Sequence, residues 1–100
     1  MNEDELNELV ERVHQVAQFA DTIGWALLKD RAVVDMAKIQ QAILSGTLDH
    51  DSYLRKTGEY AGMSRVLGLP EQMRRELDTA RALFVEEREL EEEEEEEVSA

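Results

Sequence analysis

The sequence predicts an all-α fold: a long N-terminal helix with two shorter helices folded back on it as a helical hairpin or bundle, followed by an acidic C-terminal tail. Three observations predict it. The first 44 residues hold no proline and one glycine, Gly24, and their apolar residues recur at alternating steps of three and four, the spacing of one helical face. Two glycine-bearing breaks, Ser45-Gly46 and Gly68-Leu69-Pro70, then divide the remainder. The chain ends in an unbroken run of glutamates from Glu91 to Glu97.

In the first helix the stepping pattern runs Leu6, Leu9, Val13, Val16, Ala20, Ile23, Leu27, Asp30, Val34, Ala37, Gln41, Leu44. Only Asp30 and Gln41 interrupt this heptad-like seam. An unbroken helix of that extent is about 60 Å long. Beyond residue 32 a second stripe stands beside the first: Val33, Met36, Ile39 and Ile43. The back half of the helix is therefore apolar over a wide arc and is expected to be the part that other helices cover. Gly24, beside Trp25, is the expected bend, because glycine costs about 1 kcal/mol relative to alanine inside a helix.

Gly46 suits the left-handed conformation that ends a helix, and Asp49 or Asp51 suits the cap of the next. A second helix is expected from about Ser52 to Leu67, with Tyr53, Leu54, Tyr60, Ala61, Met63, Val66 and Leu67 as its apolar positions. Gly58 and Gly62 lie one turn apart on it. Gly68-Leu69-Pro70 is expected to break the chain, with Pro70 in the first turn of a third helix carrying Met73, Leu77, Ala80, Leu83, Phe84 and Leu90.

The charge is unevenly placed. Acidic residues number 24 against 11 basic ones. The segment 3–11 carries a net −5 and the segment 86–97 a net −9, whereas 12–85 carries +1. A nucleic-acid binder needs a basic face to neutralise phosphates, and the cluster Arg55, Lys56, Arg65, Arg74, Arg75 and Arg81 works against whole-chain repulsion. Direct nucleic-acid binding is not expected. The absence of cysteine excludes disulfides and thiolate metal sites. No apolar run approaches the roughly 18 residues of a membrane span, and the N-terminus is acidic where a secretory signal is basic. A soluble, intracellular protein without membrane contact is expected. The organisation reads as one helical domain over 1–90 and a glutamate-rich tail over 91–100. Like charges repel, so the tail is expected to be solvated; continuation of the third helix into it is the alternative.

No catalytic signature is present. His14 and His50 stand apart in no metal-ligand spacing, and nucleotide-binding or nucleophile-elbow patterns are absent. No cofactor, metal or catalytic residue is expected. The candidate functional residues are those of an interaction surface: Leu6, Leu9, Val13, Val16 and Ile23 on the front seam, Trp25 beside it, and Tyr53 and Tyr60 on one face of the second helix. The front seam from Leu6 to Ile23 exceeds what a short third helix can cover, which predicts a homo-oligomer or a stable complex.

The stretch ILSGTLDHDSYLRKTGEYAGMSRVLGLPEQM, with Trp25 before it, resembles a group of short helical proteins encoded by tailed bacteriophages among head and packaging genes. Trp25, Tyr53, Gly58, Val66, Leu67, Leu69 and Pro70 carry the resemblance, which covers residues 25–73 and leaves out both acidic ends. It implies a non-enzymatic virion or assembly protein acting through helix-mediated contacts with itself or other virion proteins. The implied location is the host cytoplasm, with the virion as a second one. The charge suggests an alternative: an acidic phage inhibitor that mimics nucleic acid and blocks a host nucleic-acid-binding enzyme.

Overall fold

A computed structural model describes residues 1–99, and among these the secondary structure is helical throughout: α1 (Glu3–Ala20), α2 (Ile23–Leu44) and α3 (His50–Ser99). The all-α expectation holds. The arrangement is the reverse of the expected one, because the long element is the last helix and the two shorter ones precede it. At 1.5 Å per residue, the 50 residues of α3 span about 75 Å, the full 74 Å length of the molecule. Both α1 and α2 pack on α3 and barely touch each other. Glu3 of α1 lies 3.8 Å from Arg88, while His14 to Asp21 line a hollow with Pro70 and Glu71. Thus α1 runs antiparallel to the C-terminal half of α3, and α2 continues the same leg along its N-terminal half. The result is one long hairpin whose first leg is broken in the middle, only 15 Å thick.

The first leg breaks at Asp21-Thr22 rather than bending at Gly24. A short hydroxyl side chain serves both sides of the break. The Thr22 hydroxyl donates to the Phe19 carbonyl at 2.7 Å, and the same oxygen accepts the Trp25 N–H at 3.2 Å. It closes the last turn of α1 and caps the first turn of α2. Gly24 has no such role. A Cβ placed there would meet the Thr22 hydroxyl at 3.9 Å, an ordinary contact. At the outer ends, Asn2 caps α1 by accepting the Glu5 N–H at 2.8 Å. Gly46 closes α2 with φ 70°, as expected. Asp49 caps α3, accepting the Ser52 N–H at 2.7 Å.

The expected break at Gly68-Leu69-Pro70 does not occur. Helix α3 passes through Pro70, at the sacrifice of the hydrogen bond an N–H there would have given to the Val66 carbonyl. Tertiary packing overrides the local signal. From Lys56 onward the covered positions of α3 are Lys56, Tyr60, Met63, Leu67, Pro70, Met73, Leu77, Ala80 and Phe84, spread over both sides of the proline. They alternate steps of four and three except at Leu67-Pro70-Met73, where two steps of three adjoin. Such a phase shift locally overwinds the seam. It lies opposite the end of α1, so both legs change phase at the same level.

The glutamate run also belongs to α3, so the boundary expected at residue 91 falls inside a helix; Ala100 lies outside the described residues. Glutamate is a good helix former, and the run extends a helix already formed, so no new nucleus is required. All side chains from Glu91 to Glu97 are exposed.

The cap at Thr22 predicts that Thr22→Ala destabilises the fold by about 1 kcal/mol, read by thermal or urea unfolding followed by circular dichroism. Pro70→Ala is expected to act oppositely, raising stability by as much as about 3 kcal/mol. Loss of stability on Pro70→Ala would show that the phase shift requires the proline.

Candidate functional site

Burial in this chain is shallow. Val13, Ile39 and Leu77 are the buried apolar residues, and no side chain reaches complete burial among the described residues. Of the front seam expected to await a partner, the part carried by α1 lies against α3, and Ile23 does not. Val13 is buried, and Leu6, Leu9 and Val16 are half-buried. The reason is the continuity of α3 through Pro70, which supplies a covering helix long enough to reach Phe84 and Arg88. At the α1 end, Arg88 lies over the Phe84 ring at 5.4 Å.

The break at Asp21-Thr22 changes which stripe of α2 is covered. Had the helix continued, the seam through Val16 and Ala20 would have turned Ile23, Leu27 and Val34 inward. The two residues of the break advance the phase by roughly half a turn. Trp25, Ala32, Met36, Ile39 and Ile43 are now covered, while Ile23, Leu27, Val34 and Leu44 form an outward stripe. Ile23 is 80% exposed and Leu44 76%. Leu28 and Val33 are also exposed. Asp30 and Gln41 are the polar members of the stripe.

Of the remaining candidates, Trp25 is half-buried and packs on Phe19 with ring centroids 5.4 Å apart. Tyr60 is half-buried in the α2–α3 seam, and Tyr53 is exposed near the turn. The signal that could have located the exposed stripe was present in the Asp21-Thr22 pair, whose side chains both suit a helix end. Without it, the seam reads as continuous.

The fold also brings the two acidic segments together. Because α1 runs antiparallel to α3, Glu3 to Glu11 lie beside the region approaching the glutamate run, and Met1, Asn2, Glu3 and Glu5 share a groove with Glu87, Arg88 and Glu91. One pole thus gathers the −5 and −9 segments, and the other end is nearly neutral. The Glu3–Arg88 pair spans the pole, but both side chains are more than half exposed, so it adds little stability.

Among the described residues no polar side chain is buried, and no cluster of histidine, aspartate and glutamate is placed to hold a metal ion. Basic and acidic side chains mainly pair along their own helices, as Arg31 does with Asp35 at 3.2 Å. No described helix is long and apolar enough to cross a membrane. What this surface offers is apolar area on α2 and a field of negative charge at the far pole. No family model, curated protein or solved structure matches the chain.

The Asp49 cap carries a pH dependence. The Ser52 N–H, and then the Ser52 hydroxyl, stabilise the ionised carboxylate and hold its pKa below the ordinary 3.8. A group whose pKa is depressed by folding stabilises the folded state above its unfolded value and loses that contribution as pH falls through the folded one. The cap is therefore expected to weaken only below about pH 3.8. Asp49→Asn, which retains a capping oxygen without an acidic proton, removes this component from the acid limb of stability measured against pH. An unchanged acid limb would assign the dependence to other carboxylates.

Proposed function

We propose that this is a non-enzymatic bacteriophage virion or assembly protein that works through helix-mediated protein–protein contacts. The observation that carries the contact-forming part is the apolar stripe on the outer face of α2. A helix apolar on opposite faces is characteristic of a helix covered on both, and α3 covers only one. The phage assignment rests on the resemblance over residues 25–73. Half-burial of Trp25, Leu67 and Pro70 is compatible with a structural use of those residues.

A second reading has its own support. Two acidic segments converge on helices at one pole, giving a dense array of carboxylates suited to occupying a basic nucleic-acid site on a host enzyme. Under that reading the protein is an acidic inhibitor, and α2 has a lesser role.

The two readings differ in response to salt and in the residues they need. Immobilised protein is exposed to host or infected-cell extract at about 50 mM and about 500 mM salt, conditions between which the screening length falls from over 10 Å to a few ångströms. Under the proposed function, the same specific partners remain at high salt, are lost with Leu27→Asp, and are retained after deletion of Glu91 to Ala100. The deletion slows association at low salt, because long-range attraction acts mainly on the encounter rate. Under the inhibitor reading, high salt and the deletion each abolish capture, and Leu27→Asp does not.

A further inference from the structure

We infer that the outer face of α2 is covered by a second copy of this chain, with the two α2 helices antiparallel and the two-fold axis near Val34. This rests on the helix-packing reading and assigns that face its occupant.

The first argument is area. The chain exposes 8073 Å², whereas a compact folded monomer of 11.5 kDa exposes about 5,800 Å². The overhanging glutamate helix accounts for some of this excess of roughly 2,300 Å². A stable interface needs only about 800 Å² from each partner, and the uncovered stripe runs about 32 Å along α2 from Ile23 to Leu44.

The second argument is self-complementarity. An antiparallel pairing centred on Val34 brings residues whose numbers sum to about 68 to the same level. Ile23 then meets the partner's Leu44, Leu27 meets Gln41, Asp30 meets Ala37, and Val34 meets Val34. Each level contains an apolar side chain, and Asp30 does not confront its own copy. A two-fold interface requires one patch to fit itself in this manner.

The third argument is charge, which selects the direction. Paired helices lie 8–10 Å apart. A parallel dimer would bring two strongly acidic poles to the same end, within about one screening length at physiological salt. In the antiparallel arrangement each pole lies on its own side of the axis. Val34 lies near the level of Tyr60 across the hairpin, and α3 continues from there to the glutamate run, so the poles are separated by roughly 80 Å or more. The nearly neutral parts of the two chains meet in the middle.

The full-length chain is first sized by gel filtration with light scattering at about 20 μM. A mass near twice 11.5 kDa is expected, and Val34→Asp is expected to halve it. Because the natural chain has no cysteine, single-cysteine variants report the geometry even if Val34→Asp prevents folding. Under mild oxidation Val34→Cys is expected to cross-link to itself, whereas Ile23→Cys is not, its two copies being about 33 Å apart along the helices. A mixture of Leu27→Cys and Gln41→Cys is expected to give the mixed dimer. A monomer at 20 μM, or efficient self-cross-linking of Ile23→Cys, would overturn the proposal. If the chain is monomeric but Leu27→Asp still removes salt-resistant partners, the occupant assigned here is wrong and the functional reading stands. If the antiparallel dimer forms but partner capture depends only on the glutamate run, the dimer stands and the functional reading falls.

Discussion

The architecture depends on how one hydroxyl joins two helices. Thr22 closes α1 through the Phe19 carbonyl and opens α2 through the Trp25 N–H. The bonds are individually modest, about 1 kcal/mol each, but they fix the rotational phase of everything downstream to Leu44. A continuous first leg would present Ile23, Leu27 and Val34 to α3; the interrupted leg presents Trp25, Met36, Ile39 and Ile43. The core of the α2–α3 half, and the composition of its exposed face, both follow from that interruption.

Helix α3 accommodates the change on its own side without breaking. Its covered positions shift phase across Leu67, Pro70 and Met73, opposite the end of α1. Proline within a helix is normally costly, yet here it sits where the regular knob spacing is already disturbed and a lost hydrogen bond falls on a turn that packs differently from its neighbours. Continuity through Pro70 has two consequences. It gives α1 a covering helix, which half-buries Leu6, Leu9 and Val16, and it carries the glutamate run back toward the acidic start of α1.

Shallow burial and concentrated charge have opposing effects. A flat hairpin one helix thick cannot enclose side chains on both sides, so its apolar residues remain partly wet and its stability margin is narrow. The acidic pole adds self-repulsion, which favours solubility and discourages close packing at that end. The exposed apolar area thus lies at the neutral end, where repulsion is weakest. The same asymmetry explains why the two functional readings call on different parts of one molecule: apolar area lies on α2, and negative charge gathers where α1 meets α3.

The sequence by itself determined the helical class, the turn at Gly46, a capping role for Asp49 or Asp51, and the presence of two apolar stripes in the first leg. These depend on local periodicity, on a glycine able to adopt positive φ, and on short polar side chains near free N–H groups, all of which act within a few residues. It also showed acidic segments at both ends. It did not determine which stripe faces inward, because two residues at the break set a rotation that periodicity cannot reveal. It did not determine that α3 would pass through Gly68-Leu69-Pro70, because the local preference to stop there is outweighed by burial of Leu67, Met73 and Leu77 against the other leg. Only the tertiary structure placed both acidic segments at one pole and left Ile23, Leu27 and Val34 exposed. The first outcome comes from the antiparallel course of the chain, which brings Glu3 and Arg88 together, and the second from the rotation set at Asp21-Thr22.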